Sequence, residues 1–161
     1  MLNDITITYF VQDENFLDIS ILGCYVPSMS QERILIVDDD QLLRELYVDI
    51  LTTEGYVVDQ ARNGEEGFKK IKEGGYGLVL LDIIMPKLNG LDIMRQIKTD
   101  PPKNPNKKIV FLTNLDNEEQ IREALKLGNG YLIKSQITPG NLVEEVQTYL
   151  KEEKLPTQNS S

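Results

Sequence analysis

The chain has 161 residues, 40% of them hydrophobic, enough for one domain with a core plus some extension. Its formal net charge of −9 argues against a surface for nucleic acid or anionic membrane, and no apolar stretch is long enough to cross a bilayer. A single cysteine, Cys24, excludes an internal disulfide framework and fits a reducing cytosol, while the absence of histidine excludes a histidine nucleophile, base, metal ligand or phosphohistidine on this chain.

Residues 1–28 carry Asp4, Asp13, Glu14 and Asp18, no basic residue and no clean period. The lack of lysine and arginine from Met1 to Pro27 argues against a signal peptide. Met29 then opens MSQERILIVDDD: a methionine, a short polar lead and a first strand. Residues 1–28 are therefore expected to be a disordered extension or the product of a start placed too early. The alternative is an added strand pair from ITITYFV and FLDISILG, whose alternation is imperfect.

From Arg33 onward strands and helices alternate. Ile34–Val37 reads as a strand, and Gln41–Glu54 as a helix capped by Asp40, with Leu43, Leu46, Tyr47 and Ile50 on one stripe and Gly55 ending it. Tyr56–Asp59 is a short strand. Asn63 caps a second helix, with Glu66 at the capping-box position. Gly77–Asp82 is the third strand, and Gly90–Lys98 the third helix, with Leu91, Met94 and Ile97 inward. The loop DPPKNPNKK leads to the strand Ile109–Leu112. Asp116 with Glu119 caps a fourth helix whose inward residues are Ile121, Ala124 and Leu125. Tyr131–Ile133 is the fifth strand, and Thr138-Pro139 opens a last helix running to about Leu150. The remaining KEEKLPTQNSS reads as a tail, with no second domain. Five βα units with right-handed crossovers predict an α/β fold on a five-stranded parallel sheet.

The apolar runs ILIV, LVLL, IVFL and YLI suit strands buried on both faces. They end in Asp38-Asp39, Asp82, Thr113 and Lys134. In an open parallel sheet chemistry gathers beyond the carboxyl ends of the strands, so these residues are expected around one hollow. Three carboxylates, a hydroxyl and an ammonium together describe a divalent-metal and phosphoryl site. With no histidine, the phosphoryl group must come from outside, and oxygen ligands favour Mg2+ or a similar hard cation.

At ILIVDDD, LVLLDIIMPKLNG, IVFLTN and YLIKS, in that order between roughly Arg33 and Leu150, the chain resembles the receiver domain of two-component response regulators. The resemblance implies a (βα)5 flavodoxin-like three-layer sandwich with strand order 2-1-3-4-5, a receiver domain at 29–152 and a disordered tail at 153–161. It implies that Asp82 is the phosphoacceptor and that Asp38, Asp39 and Asp82 hold Mg2+, Asp39 directly and Asp38 through water. The backbone carbonyl of Ile84 would add another oxygen. Lys134 would supply a second positive charge, Thr113 would donate its hydroxyl to the phosphoryl oxygens, and Tyr131 would be the switch aromatic that follows Thr113 inward. The implied setting is a cytoplasmic, stand-alone module that turns over no separate metabolite. Its donor would be a sensor histidine kinase or histidine phosphotransfer protein. Its downstream protein target would dock on the face of the fourth helix, fifth strand and fifth helix, with room for a phosphorylation-dependent homodimer and no role for nucleic acid or membrane.

Two other readings stay open. DDD contains D-x-D, as in an aspartyl phosphatase of haloacid-dehalogenase type, where Asp38 would be the modified residue; or the chain is a scaffold that keeps the fold and is never phosphorylated. Ser135 stands where the family usually has a proline after a cis bond, so the Lys134–Ser135 bond is expected to be trans. Gly67 replaces a common helix alanine at a cost of roughly 0.5–1 kcal/mol, and Gly128-Asn129-Gly130 is expected to loosen the turn before the fifth strand.

Overall fold

The computed structural model describes residues 32–114 and 118–151. The strands are β1 (Arg33–Val37), β2 (Val57–Ala61), β3 (Leu78–Asp82), β4 (Lys108–Thr113) and β5 (Gly130–Ile133). The helices are α1 (Gln41–Thr53), α2 (Gly64–Glu73), α3 (Gly90–Thr99), α4 (Glu118–Leu127) and α5 (Pro139–Lys151). Every strand pair is parallel, in the predicted order β2-β1-β3-β4-β5. Expectations for residues 1–28, for the tail at 153–161 and for the Asp116 cap lie outside the described residues.

Period-two alternation along the central strands divides the core between the two faces of the sheet. Leu35, Val37, Val79, Leu81, Ile109 and Phe111 join one cluster, with Ile71 of α2, Ile93 and Ile97 of α3 and Ala124 of α4. Ile34, Ile36, Leu78, Leu80, Val110 and Leu112 face the other way, onto Tyr47 and Leu51 of α1 and Leu142 and Val146 of α5. Helices on both faces of a parallel sheet give the three-layer sandwich. They also leave the carboxyl ends of the strands as the open rim.

Several local expectations need correcting. The β2 strand begins and ends later than predicted, because VVDQA at the sheet edge is only partly buried and lacks a continuous apolar run. On α1, Leu46 is 45% exposed while Arg44 is 8% exposed, so the buried stripe runs Arg44, Tyr47, Leu51. On α4, Ala124 is buried but Leu125 is 54% exposed, and Leu127 packs on the core instead. Asp40 and Asn63 cap α1 and α2 as predicted, accepting from Leu43 N and Glu66 N. The return bond of the expected capping box is displaced: Glu66 accepts from Arg62 N at 3.2 Å, one residue before the cap.

The turn before β5 is tied down, not loosened. Asn129 N donates to Ile109 O at 2.7 Å, and Ile109 N donates to Asn129 Oδ1 at 2.8 Å. The Lys134–Ser135 bond is trans, and a 3₁₀ turn over Lys134–Gln136 carries the chain onward. Thr138 and Asn141 then close α5 reciprocally, each accepting from the other's backbone N–H.

Gly67 has a packing reason that outweighs its entropic cost. A Cβ there would stand 2.5 Å from Val37 Cγ1, so the absence of a side chain lets α2 lie close against β1 just before the Asp38 turn. Gly67→Ala should therefore destabilise by about 1–3 kcal/mol through overpacking, despite alanine's better helix propensity. Urea unfolding measures this. A stability gain would show that the helix shifts freely.

Candidate metal and phosphoryl site

The parallel register brings the polar strand ends level. Val37 pairs with Leu81, Asp82 with Leu112 and Thr113 with Ile133, so the residues following β1 and β5 meet the last residues of β3 and β4 at one rim. There Asp38 is fully buried, Asp82 is 4% exposed and Thr113 6% exposed, while Asp39 is exposed. One carboxylate oxygen from each of Asp38, Asp39 and Asp82 lies within 4.8 Å of the others. A hollow of about 490 Å³ opens beside Asp39 and Asp82, lined also by Ile84, Asn114, Lys134 and Ser135.

Each buried acid is held by name. Lys134 Nζ stands 2.6 Å from Asp82 Oδ2 and 2.8 Å from Asp38 Oδ2. Asp82 Oδ1 accepts from Ile84 N at 3.2 Å, and Asp38 Oδ1 from Asp40 N at 2.9 Å. Asp38 Oδ2 has the ion pair with Lys134 but no well-directed hydrogen bond among the described residues. A single ammonium thus faces two buried carboxylates, and Asp39 adds a third charge at the mouth.

Electrostatics follow from that imbalance. Burial pushes the Asp82 carboxyl up to about 6, Lys134 opposes it and the neighbouring Asp38 charge adds to it. Burial pulls Lys134 down, but its bonds to Asp38 and Asp82 outweigh this and leave its pKa raised. The excess negative charge, the oxygen-only donors and the incompletely bonded Asp38 Oδ2 fit a hard divalent cation such as Mg2+.

Asp82→Asn tests the balance. A carboxyl whose folded pKa lies above its unfolded value loses stability as pH rises from about 4 to about 6, because the folded state binds its proton more tightly. Above that window the ionised Asp82 is a net burden on the metal-free fold. The substitution should stabilise metal-free protein at pH 7 by about 1–3 kcal/mol, and the gain should shrink below pH 5. Thermal melts at both pH values check it, and a loss at pH 7 would contradict it.

The structure brings Asp38, Asp39, Asp82, Thr113 and Lys134 together and places Ile84 at the rim, 64% exposed, with its N–H on Asp82. Tyr131 sits one strand away, half-buried in β5 and packed on the cluster that Phe111 joins. The sequence reading missed Arg44, and it placed Tyr47 on the inward stripe without connecting it to the site. Arg44 donates to the Asp38 carbonyl, and Tyr47 buries a hydroxyl with no partner among the described residues. Burial and then the charges of Asp38, Asp40 and Asp82 push that phenol up to about 12. The spacing of Arg44, Tyr47 and Leu51 along one helix face was the available signal, hidden because arginine reads as a solvent residue.

The model of the response regulator receiver domain matches residues 34–147. The chain is 36% identical over 122 residues to the chemotaxis protein CheY of Thermotoga maritima, covering 74% of this chain and 98% of that one. It is 33% identical over 129 residues to the transcriptional regulatory protein CpxR homolog of Haemophilus influenzae, spanning 55% of that relative's length. Among solved structures, a CheY-like receiver domain from Methanospirillum hungatei matches with a TM-score of 0.66 at 31% identity, covering 75% of this chain and 94% of that one. The response regulator TrrA of Thermotoga maritima, solved in complex with Mg2+ and BeF, matches with a TM-score of 0.61 at 36% identity, covering 73% and 98%.

Proposed function

The chain belongs to the response regulator receiver domain family, and from that premise we propose that it is a cytoplasmic phospho-switch whose phosphoacceptor is Asp82. The observation that carries the reading is the position of Asp82: last in β3, nearly buried, on Lys134, and open to the hollow. The donor is the phosphohistidine of a histidine kinase or phosphotransfer protein, since this chain has no histidine of its own. An Asp82 oxygen attacks phosphorus in line, the P–N bond breaks, and the imidazole leaves with a proton.

Asp38, Asp39 and Asp82, with the Ile84 carbonyl, would hold Mg2+, whose charge supplies neutralisation of the transferred group's oxygens. Lys134 holds Asp82 beforehand and faces the same oxygens from the other side. The Thr113 hydroxyl donates a hydrogen bond to the oxygens of the phosphoryl group on Asp82, and Tyr131 follows it inward, shifting a two-state equilibrium. The output is a protein contact on the face made by α4, β5 and α5. The chain spans about half the length of several transcriptional regulators it matches, so action as a stand-alone module is part of this proposal.

The alternative phosphatase reading needs Asp38 as nucleophile. Asp38 has no exposed surface and commits Oδ1 to the Asp40 N–H, which favours Asp82. Acetyl phosphate with Mg2+ should give a hydroxylamine-labile phosphoprotein, and a chelator should abolish labelling. Labelling that is indifferent to the chelator would contradict the metal role.

A further inference from the structure

A buried arginine lies directly behind the acid cluster, and we propose that Arg44 is a positioning residue that aims Asp39 at the divalent cation. This inference rests on the metal reading given above. Arg44 stands in the first turn of α1, 8% exposed. Its Nη1 donates to the Asp38 carbonyl oxygen at 2.8 Å, and its Nε donates to Gln60 Oε1 on β2 at 2.9 Å. Its own backbone N–H bonds Asp40 O at 3.0 Å. A guanidinium is planar and donates in fixed directions, so two bonds from one plane fix the Asp38 carbonyl relative to β2.

That carbonyl shares a rigid peptide plane with the Asp39 N–H. Holding it sets the direction in which Asp39 leaves the chain. The other acids have anchors of their own: Asp38 through Ala61 O, Asp40 N and Lys134, and Asp82 through Lys134 and Ile84 N. Asp39 is exposed, and its carboxylate has no hydrogen bond or ion pair among the described residues. Its place in the three-oxygen set therefore depends on the peptide before it. Without Arg44 the set is assembled for a smaller fraction of the time, and apparent affinity falls by that fraction.

Lysine at this position can reach one acceptor but not both, whereas methionine reaches neither. In the full-length chain, Mg2+ is titrated against wild type, Arg44→Met, Arg44→Lys, Gln60→Leu and Asp39→Ala, following backbone amide shifts, with metal-free melts alongside. Arg44→Met should raise the Mg2+ dissociation constant by about 10–100-fold, the usual range for residues that orient metal ligands. Arg44→Lys should recover part of the loss, and Gln60→Leu should weaken binding less than Arg44→Met. A merely structural role would lower the melting temperature and leave the constant alone. A folded Arg44→Met with wild-type affinity overturns the proposal. If that variant does not fold, unchanged affinity in both Arg44→Lys and Gln60→Leu overturns it. Wild-type protein that binds no Mg2+ would instead defeat the metal reading itself, and the role of Arg44 with it.

Discussion

Lys134→Met is expected to cost the metal-free protein about 3–5 kcal/mol at neutral pH, the scale seen when one partner of a buried ion pair is removed. The reason is local. Lys134 Nζ contacts Asp38 and Asp82 within 3 Å, roughly ordinary hydrogen-bond reach, and neither acid has more than a few per cent exposure. Removing it leaves two buried carboxylates facing each other, and the opposing influence on Asp82 vanishes. The Asp82 carboxyl then rises further above its already raised value of about 6, so the variant should be weakest at pH 7 to 8 and should recover as pH falls from there toward about 4. In the wild type the sign for Lys134 is opposite. Its raised folded pKa contributes stability that is present below its ordinary value and is lost only as pH rises through the folded one. Chemical unfolding across pH measures both. A loss that is the same at pH 5 and pH 8 would mean that the methylene packing of Lys134 matters, not its charge.

Asp39→Ala is expected to show the reverse pattern, with little effect on folding and a large effect on Mg2+. Asp39 is exposed and its carboxylate makes no hydrogen bond or ion pair among the described residues, so its removal deletes no buried bond. Yet it supplies one of the three converging carboxylate oxygens, and the one most open to the hollow. The Mg2+ dissociation constant should rise by about 100-fold or more, beyond the titratable range of a weak, partly solvated site. The metal-free melting temperature should stay within about 2 °C or rise, because one of the crowded negative charges is gone. Retained Mg2+ binding would show that the cation sits elsewhere.

The sheet and its rim were legible because β1, β3 and β4 are covered on both faces. Continuous apolar runs such as LVLL leave no doubt about where a strand stops and its polar successor starts. The edge strand β2 was placed less well, since Val57, Asp59 and Gln60 obey neither pattern. Leu46 and Leu125 were misread for a different reason: helix periodicity defines a stripe only within about a residue, and these leucines sit on its flank. Gly67 could be read only as a weak helix former, because its close approach to Val37 is a tertiary fact. The Asp38, Asp39, Asp82 and Lys134 cluster was visible from strand endings alone. Arg44 was not, because an arginine reads as a solvent residue even at the spacing of Tyr47 and Leu51, and its bond to a carbonyl six residues back is a tertiary fact.

Which aspartate is modified decides between receiver and phosphatase chemistry. Intact-mass measurement after incubation with acetyl phosphate and Mg2+, followed by peptide mapping, reads it directly. A single phosphoryl group on the peptide containing Asp82, absent from Asp82→Asn, is the predicted result; a group carried by Asp38 would contradict the account and move the chain to phosphatase chemistry.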